Sequence, residues 1–276
     1  MDTSDTSDTS DTSAFGEWTR HFEAEAERRR ATGDPGWGRG ARLPRAVWRS
    51  LQRFQVGEDG DGANLIGKAD GAGDADYSAA VRLFVEEERN HARMLALLLG
   101  AGGMPAIASC WSDRVFVRLR RLLGLRMELL VLMVAELVAV RYYRAVRDGA
   151  GDPLVSEVAG RILADERRHI PFHCRRLRDS VGELPGRPLR ALVMSGWRGL
   201  LLGAAAFVAL DHGRALRRLG VRRGRFVADV MRLAGPVTGD VLGTTGASLR
   251  PPAEDRVPAE NAGNTGNAER AVAAAA

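Results

Sequence analysis

Residues 165–169 read Asp165-Glu166-Arg167-Arg168-His169, and residues 87–91 read Glu87-Glu88-Arg89-Asn90-His91. Each is an acid followed by Glu-x-x-His. On a helix, positions three apart share a face, so Glu88 projects with His91 and Glu166 with His169. A carboxylate oxygen beside an imidazole nitrogen is half of a site for a divalent metal. Each pair has a glutamate upstream at the same interval: Glu58 precedes Glu88, and Glu136 precedes Glu166, by 30 residues. That interval suits two antiparallel helices joined by a short turn, with their acids meeting near mid-height.

The apolar periodicity around these acids is helical. Val47, Leu51, Phe54, Glu58, Asp61 and Leu65 form a seam from Pro44 onward, in which either Glu58 or Asp61 supplies the acid. Gly57, Gly60, Gly62 and Gly67 weaken this helix, each costing about 1 kcal/mol against Ala, and predict a break or kink beside the acid. A second helix over about 76–99 aligns Tyr77, Val81, Phe84, Glu88, His91, Leu95 and Leu98, and ends in a Gly-rich turn. A third over about 125–148 aligns Leu125, Leu129, Leu132, Glu136, Ala139, Tyr143 and Val146. Glu128 lies off that seam. Asp152-Pro153 opens a fourth as N-cap and first-turn proline, with Val155, Ala159, Ile162, Glu166, His169 and His173 in line. All four helices place an acid on the apolar face, where a carboxylate is costly unless it is paired or bound to metal. Pro171 lacks an amide hydrogen and predicts a kink just past His169.

The flanks read differently. Residues 1–13 contain four Asp-Thr-Ser copies and are expected to be a disordered acidic tail. Residues 14–43 suggest a short helix (Phe15, Trp18 and Phe22 in phase) and a linker, with His21 exposed. Residues 44–235 hold the bundle and one or two further helices, with a connector over 106–124. Residues 236–276 are expected to be a second disordered tail. The apolar run Gly199–Leu210 is too short to span a bilayer, so a core helix is expected there and no membrane attachment. Asp211-His212 and Tyr142 are read as structural.

Composition narrows the partners. The 276 residues carry a net charge of +5, but only one of the 40 basic residues is Lys, and no basic stripe interleaves with aromatics. Nucleic acid is therefore not an expected partner. Cys110 and Cys174 are isolated, which excludes a disulfide scaffold and a cysteine zinc module and fits a reducing cytoplasm. No apolar segment follows Met1.

The order Glu, Glu-x-x-His, Glu, Glu-x-x-His over residues 44–180 resembles the ferritin-like di-iron carboxylate superfamily. The resemblance implies an all-α four-helix bundle with additional N- and C-terminal helices, and two iron ions, with Mn/Fe as a variant. It also implies that Glu88 and Glu166 bridge the ions, that Glu58 and Glu136 are terminal ligands, and that His91 and His169 take one ion each. A ligating His usually donates its other N–H to a carboxylate. Asp165 is therefore expected to orient His91 across the bundle, and Glu87 to orient His169, the alternative for both being a solvated acid. His173 is a third ligand, a hydrogen-bonding neighbour or a core histidine. Members of the family resembling p-aminobenzoate N-oxygenases place their extra His where this chain has Ile162. Tyr143 is either redox-active or a core Tyr with its hydroxyl bonded. Leu95 stands where the similar ribonucleotide reductase small subunits carry a radical Tyr. The implied function is an O2-dependent oxidoreductase acting on a small, apolar or aromatic substrate with an external electron donor. Iron handling by ferroxidase or storage activity, or peroxide reduction, is the alternative, and a homodimer is left open.

Overall fold

The computed structural model describes residues 14–60, 62–108, 124–246 and 249–252. These residues form helices and no strand. The helices that carry the candidate acids and histidines are α2 (Arg45–Glu58), α4 (Ala75–Ala101), α5 (Leu125–Gly149) and α6 (Pro153–Gly182). Around them lie α1 (Ala14–Thr32), α3 (Ala63–Asp70), α7 (Gly186–Asp211), α8 (Gly213–Arg218) and α9 (Arg223–Leu242).

Local chemistry sets the boundaries. Asp74 caps α4 by accepting the Tyr77 amide at 2.9 Å. Asp152 caps α6 through the Val155 amide at 3.1 Å, with Pro153 in the first turn. The three residues between α5 and α6 force those helices into an antiparallel pair, which shares the most extensive contact of any helix pair among the described residues. The expected break after Glu58 is present. Helix α2 stops there, and the chain re-enters a helix at Ala63 after Gly62, which is left-handed at φ 65°. Asp61, the alternative acid of this helix, lies outside the described residues, as do residues 1–13 and most of the 106–124 connector.

Helix α6 is continuous from Pro153 to Gly182 with Pro171 inside it, and Phe172, Leu177 and Val181 beyond the proline are buried. Several expectations are corrected. His21 is buried, not exposed, against the rings of Trp18 and Phe22. Helix α9 passes the expected boundary at 235, contains Pro236, and ends at Leu242. Leu249 beyond it is still buried, and its carbonyl accepts the Trp18 indole N–H at 3.3 Å. Glu128 is off the seam yet fully buried, held by Lys68 Nζ at 2.6 Å and Asn64 Nδ2 at 2.8 Å. The apolar run 199–210 belongs to a 26-residue helix. Among the described residues, this helix alone is long and apolar enough to cross a membrane.

Candidate metal centre

The four helices bring the predicted acids and histidines together. One ligand atom from each of Glu58, Glu88, His91 and Glu166 lies within 4.8 Å of the others. Glu88, Glu136 and His169 form a second such group, so Glu88 belongs to both. Glu166 also faces both histidines. Its Oε1 is 3.6 Å from His91 Nδ1, and its Oε2 is 3.9 Å from His169 Nδ1. His91 Nδ1 is 3.4 Å from Glu88. His169 Nδ1 is 3.3 Å from Glu88 and 3.4 Å from Glu136.

The outer nitrogens of the two rings are engaged crosswise. His91 Nε2 lies 3.0 Å from Asp165 Oδ2, and His169 Nε2 lies 3.0 Å from Glu87 Oε2. A carboxylate only accepts, so each Nε2 carries the proton and each Nδ1 is turned toward the cluster. The acid preceding one Glu-x-x-His thus orients the histidine of the other. Arg29, from α1, hydrogen-bonds Glu87 and stands 4.0 Å from Asp165, while Arg168 pairs with Asp165.

The Tyr143 hydroxyl donates to Glu58 at 2.6 Å. His173 is fully buried one turn past His169, with Nε2 3.8 Å from Glu136 Oε1 and neither ring nitrogen hydrogen-bonded. It lies outside both ligand groups. Burial pulls it down to about 4, so it is neutral at pH 7.

The electrostatics describe a site with too much negative charge for its surroundings. Burial and then Glu88 push Glu58 up to about 8. Burial, followed by Glu136, Glu88 and Glu58, raises Glu166 well above the usual carboxylate range. Burial works against protonation of the histidines, but the surrounding acids outweigh it. Asp165 and Glu88 raise His91 well above its ordinary value, and Glu136 and Glu87 lift His169 to about 10. Against the upward push of burial, His169 holds Glu136 at about 2. Without a cation, these groups retain protons they would lose elsewhere.

Four inward atoms, Glu88 Oε1, His91 Nδ1, Glu136 Oε2 and His169 Nδ1, are buried and make no hydrogen bond. An unmet buried polar atom costs about 1–3 kcal/mol, and effective penalties for buried charges reach several kcal/mol each. Divalent cations among these atoms would replace the protons and satisfy all four. The cluster of carboxylates and histidines therefore fits metal ions in its charge, its donor set and its orphaned atoms.

Beside the acids opens a cavity of about 260 Å³. Glu58, Glu88, Glu136 and Glu166 form part of its wall, and Phe54, Leu132, Val138, Ala139, Phe207 and Val208 form half of the remainder. Arg53 and His212 supply polar atoms. Arg53 is paired with Asp211 at 2.8 Å, and His212 Nδ1 is 2.7 Å from Ser50 Oγ, which is itself 2.7 Å from the Tyr142 hydroxyl. Phe54 stacks on Tyr142 with ring centroids 3.5 Å apart.

Sequence reasoning missed Arg29, Ser50, Arg53 and Phe207. The one usable signal was Arg53-Phe54, one turn before Gly57-Glu58, which marks the flank of the acid. Comparison of the chain with protein-family models, with curated proteins and with solved structures gave no match. The assignment of a metal-capable site therefore rests on geometry.

Proposed function

We propose that this chain is a ferritin-like di-iron carboxylate oxidoreductase that uses O2 to oxidise or oxygenate a small apolar or aromatic molecule, with Mn/Fe as a variant metal pair. The observation that carries the reading is the cavity with all four acids in its wall. Iron storage or ferroxidation needs only a path for the ion, whereas an apolar chamber beside the acids suits an organic substrate. At about 260 Å³ it falls just below the usual range of roughly 300–1,000 Å³ for small-molecule sites, which favours a small substrate.

Glu58, Glu88, Glu136, Glu166, His91 and His169 would hold the ions, and Glu88 belongs to both clusters. Bound iron would supply O2 binding and electron transfer, and an external electron donor completes the reaction. Asp165 and Glu87 hold the Nε2 protons and keep each Nδ1 directed inward, where a bound cation would displace its proton. Tyr143 holds its proton on Glu58 and fixes that carboxylate at the cavity wall. The apolar lining excludes water from the reacting end. Arg53 and His212 give a substrate's polar end both donors and acceptors.

The test is anaerobic Fe(II) loading, desalting and elemental analysis, followed by O2 uptake. About two irons per chain are expected, with both properties lost in Glu88→Ala and Glu166→Ala. Unchanged iron stoichiometry in both variants overturns the reading, and many irons per chain after exposure to air would indicate storage.

A further inference from the structure

Helix α7 buries one face and leaves the other bare. Met194, Trp197, Leu201, Ala205 and Ala209 point inward, and the Trp197 indole donates to the Leu130 carbonyl at 2.9 Å. The outward face is largely apolar, and Leu192, Gly199, Gly203 and Leu210 stand symmetrically about Leu201, the exposed Ser195 opposite Phe207 being the exception. Leu192 and Leu210, each nine residues from Leu201, are 67% and 64% exposed. Leu200 and Leu202 flank it at 41% and 48%. Gly199 and Gly203 are equally spaced between the outer leucines, and Gly196 has its counterpart in Ala206.

We propose that this face is a twofold interface with a second copy of the chain, in which two α7 helices pack antiparallel and cross at Gly199 and Gly203. A twofold contact requires a self-complementary surface. With the axis opposite Leu201, Leu192 of each copy meets Leu210 of the other, and Gly199 meets Gly203. Large residues at both ends and small ones between form a groove that accepts its own image. Among the described residues no neighbour requires these glycines, because a Cβ at Gly196, Gly199 or Gly203 would meet nothing within 4 Å. Glycine is among the poorest helix formers, and close approach of another backbone is what such a row permits. A bilayer would gain from bulk along the whole stripe, which here is thinnest in the middle. The inference stands apart from the metal reading, although the same helix contributes Ala204, Phe207 and Val208 to the cavity wall.

A helix of 26 residues is about 39 Å long. One helix pair buries less than the roughly 800 Å² per partner of a standard interface, so the dimer should depend on concentration. The test is sedimentation velocity of the full chain over about 1–100 μM, with Leu192→Glu, Leu210→Lys and the double variant. Wild type should dimerise. Each single variant should weaken the dimer at least tenfold, and the double variant should recover it, because each Glu then faces the Lys of the other copy. All three alter exposed side chains, and circular dichroism checks their folding. A monomeric wild type, single variants that still dimerise, or a double variant that stays monomeric would each overturn the proposal. So would flotation of wild type with phosphatidylcholine–phosphatidylglycerol vesicles that the single variants abolish, since that would make a membrane the occupant.

Discussion

At the residue scale, the two acid-Glu-x-x-His stretches act as one reciprocal device, not as two copies of a ligand pair. Asp165 sits on α6 but serves His91 of α4, and Glu87 sits on α4 but serves His169 of α6. Removing the charge from either acid frees the ring it orients. Outer hydrogen bonds of this kind are worth about 10- to 100-fold in metal affinity. Asp165→Asn and Glu87→Gln are each expected to raise the Kd for Co(II) by that factor while leaving the fold intact, and an unchanged Kd in both would remove the orienting role. His212 makes a different prediction. Burial, followed by Arg53, depresses it to about 4 in the folded chain, against 6.5 for an ordinary histidine. The unfolded chain therefore takes up the proton first as pH falls. The stability is fully present above pH 6.5 and is lost between pH 6.5 and 4. Wild type should lose about 2 kcal/mol more than His212→Gln between pH 7 and 4.5, measured by urea titration. Parallel losses would mean that His212 is not the group that titrates.

At the element scale, the end of α2 positions one of the four acids in the cavity wall. The helix stops at Glu58, and Gly62 turns the chain into α3. Gly62 has φ 65°, and a Cβ there would come within 2.4 Å of Val85 on α4. Gly62→Ala should therefore destabilise the protein by about 1–3 kcal/mol, a fall of several degrees in Tm for a chain of this size. Calorimetry checks this, and an unchanged Tm would mean that α4 yields at Val85. The break itself was legible from glycine density, and the positions of the clustered acids and histidines were legible from seam and spacing. Both signals are local or periodic. Arg29 reaches Glu87 across 58 residues of sequence, and His212 reaches Ser50 across 162, so no period announces either contact. The reach of α9 to Leu242 was hidden because Pro236 and its glycines have the composition of a helix end, while the buried Val237 and Val241 carry the helix onward.

At the scale of the whole molecule, the candidate site ties four helices together through acids that repel one another. Glu58 comes from α2, Glu88 and His91 from α4, Glu136 from α5, and Glu166 and His169 from α6. No single helix can withdraw its clustered side chains without opening the core, because every one of them except Glu88 is buried. Metal binding should therefore appear as global stability and not as the ordering of one loop. A ligand that binds only the folded state stabilises it by about 2.7 kcal/mol at a hundredfold excess over Kd. At roughly 2–4 °C per kcal/mol for a domain of this size, one ion should raise Tm by about 5–10 °C, and a second ion adds to that. Chelator-treated protein should melt lower and recover on anaerobic Fe(II) or Mn(II) addition. Glu88→Gln provides the control, because Glu88 belongs to both ligand groups: its metal-dependent rise should vanish while its apo Tm stays the same or increases, one repelling charge having gone. If wild type and Glu88→Gln melt alike with and without metal, the acids are held together by protons alone, and the reading of this bundle as a metal centre fails.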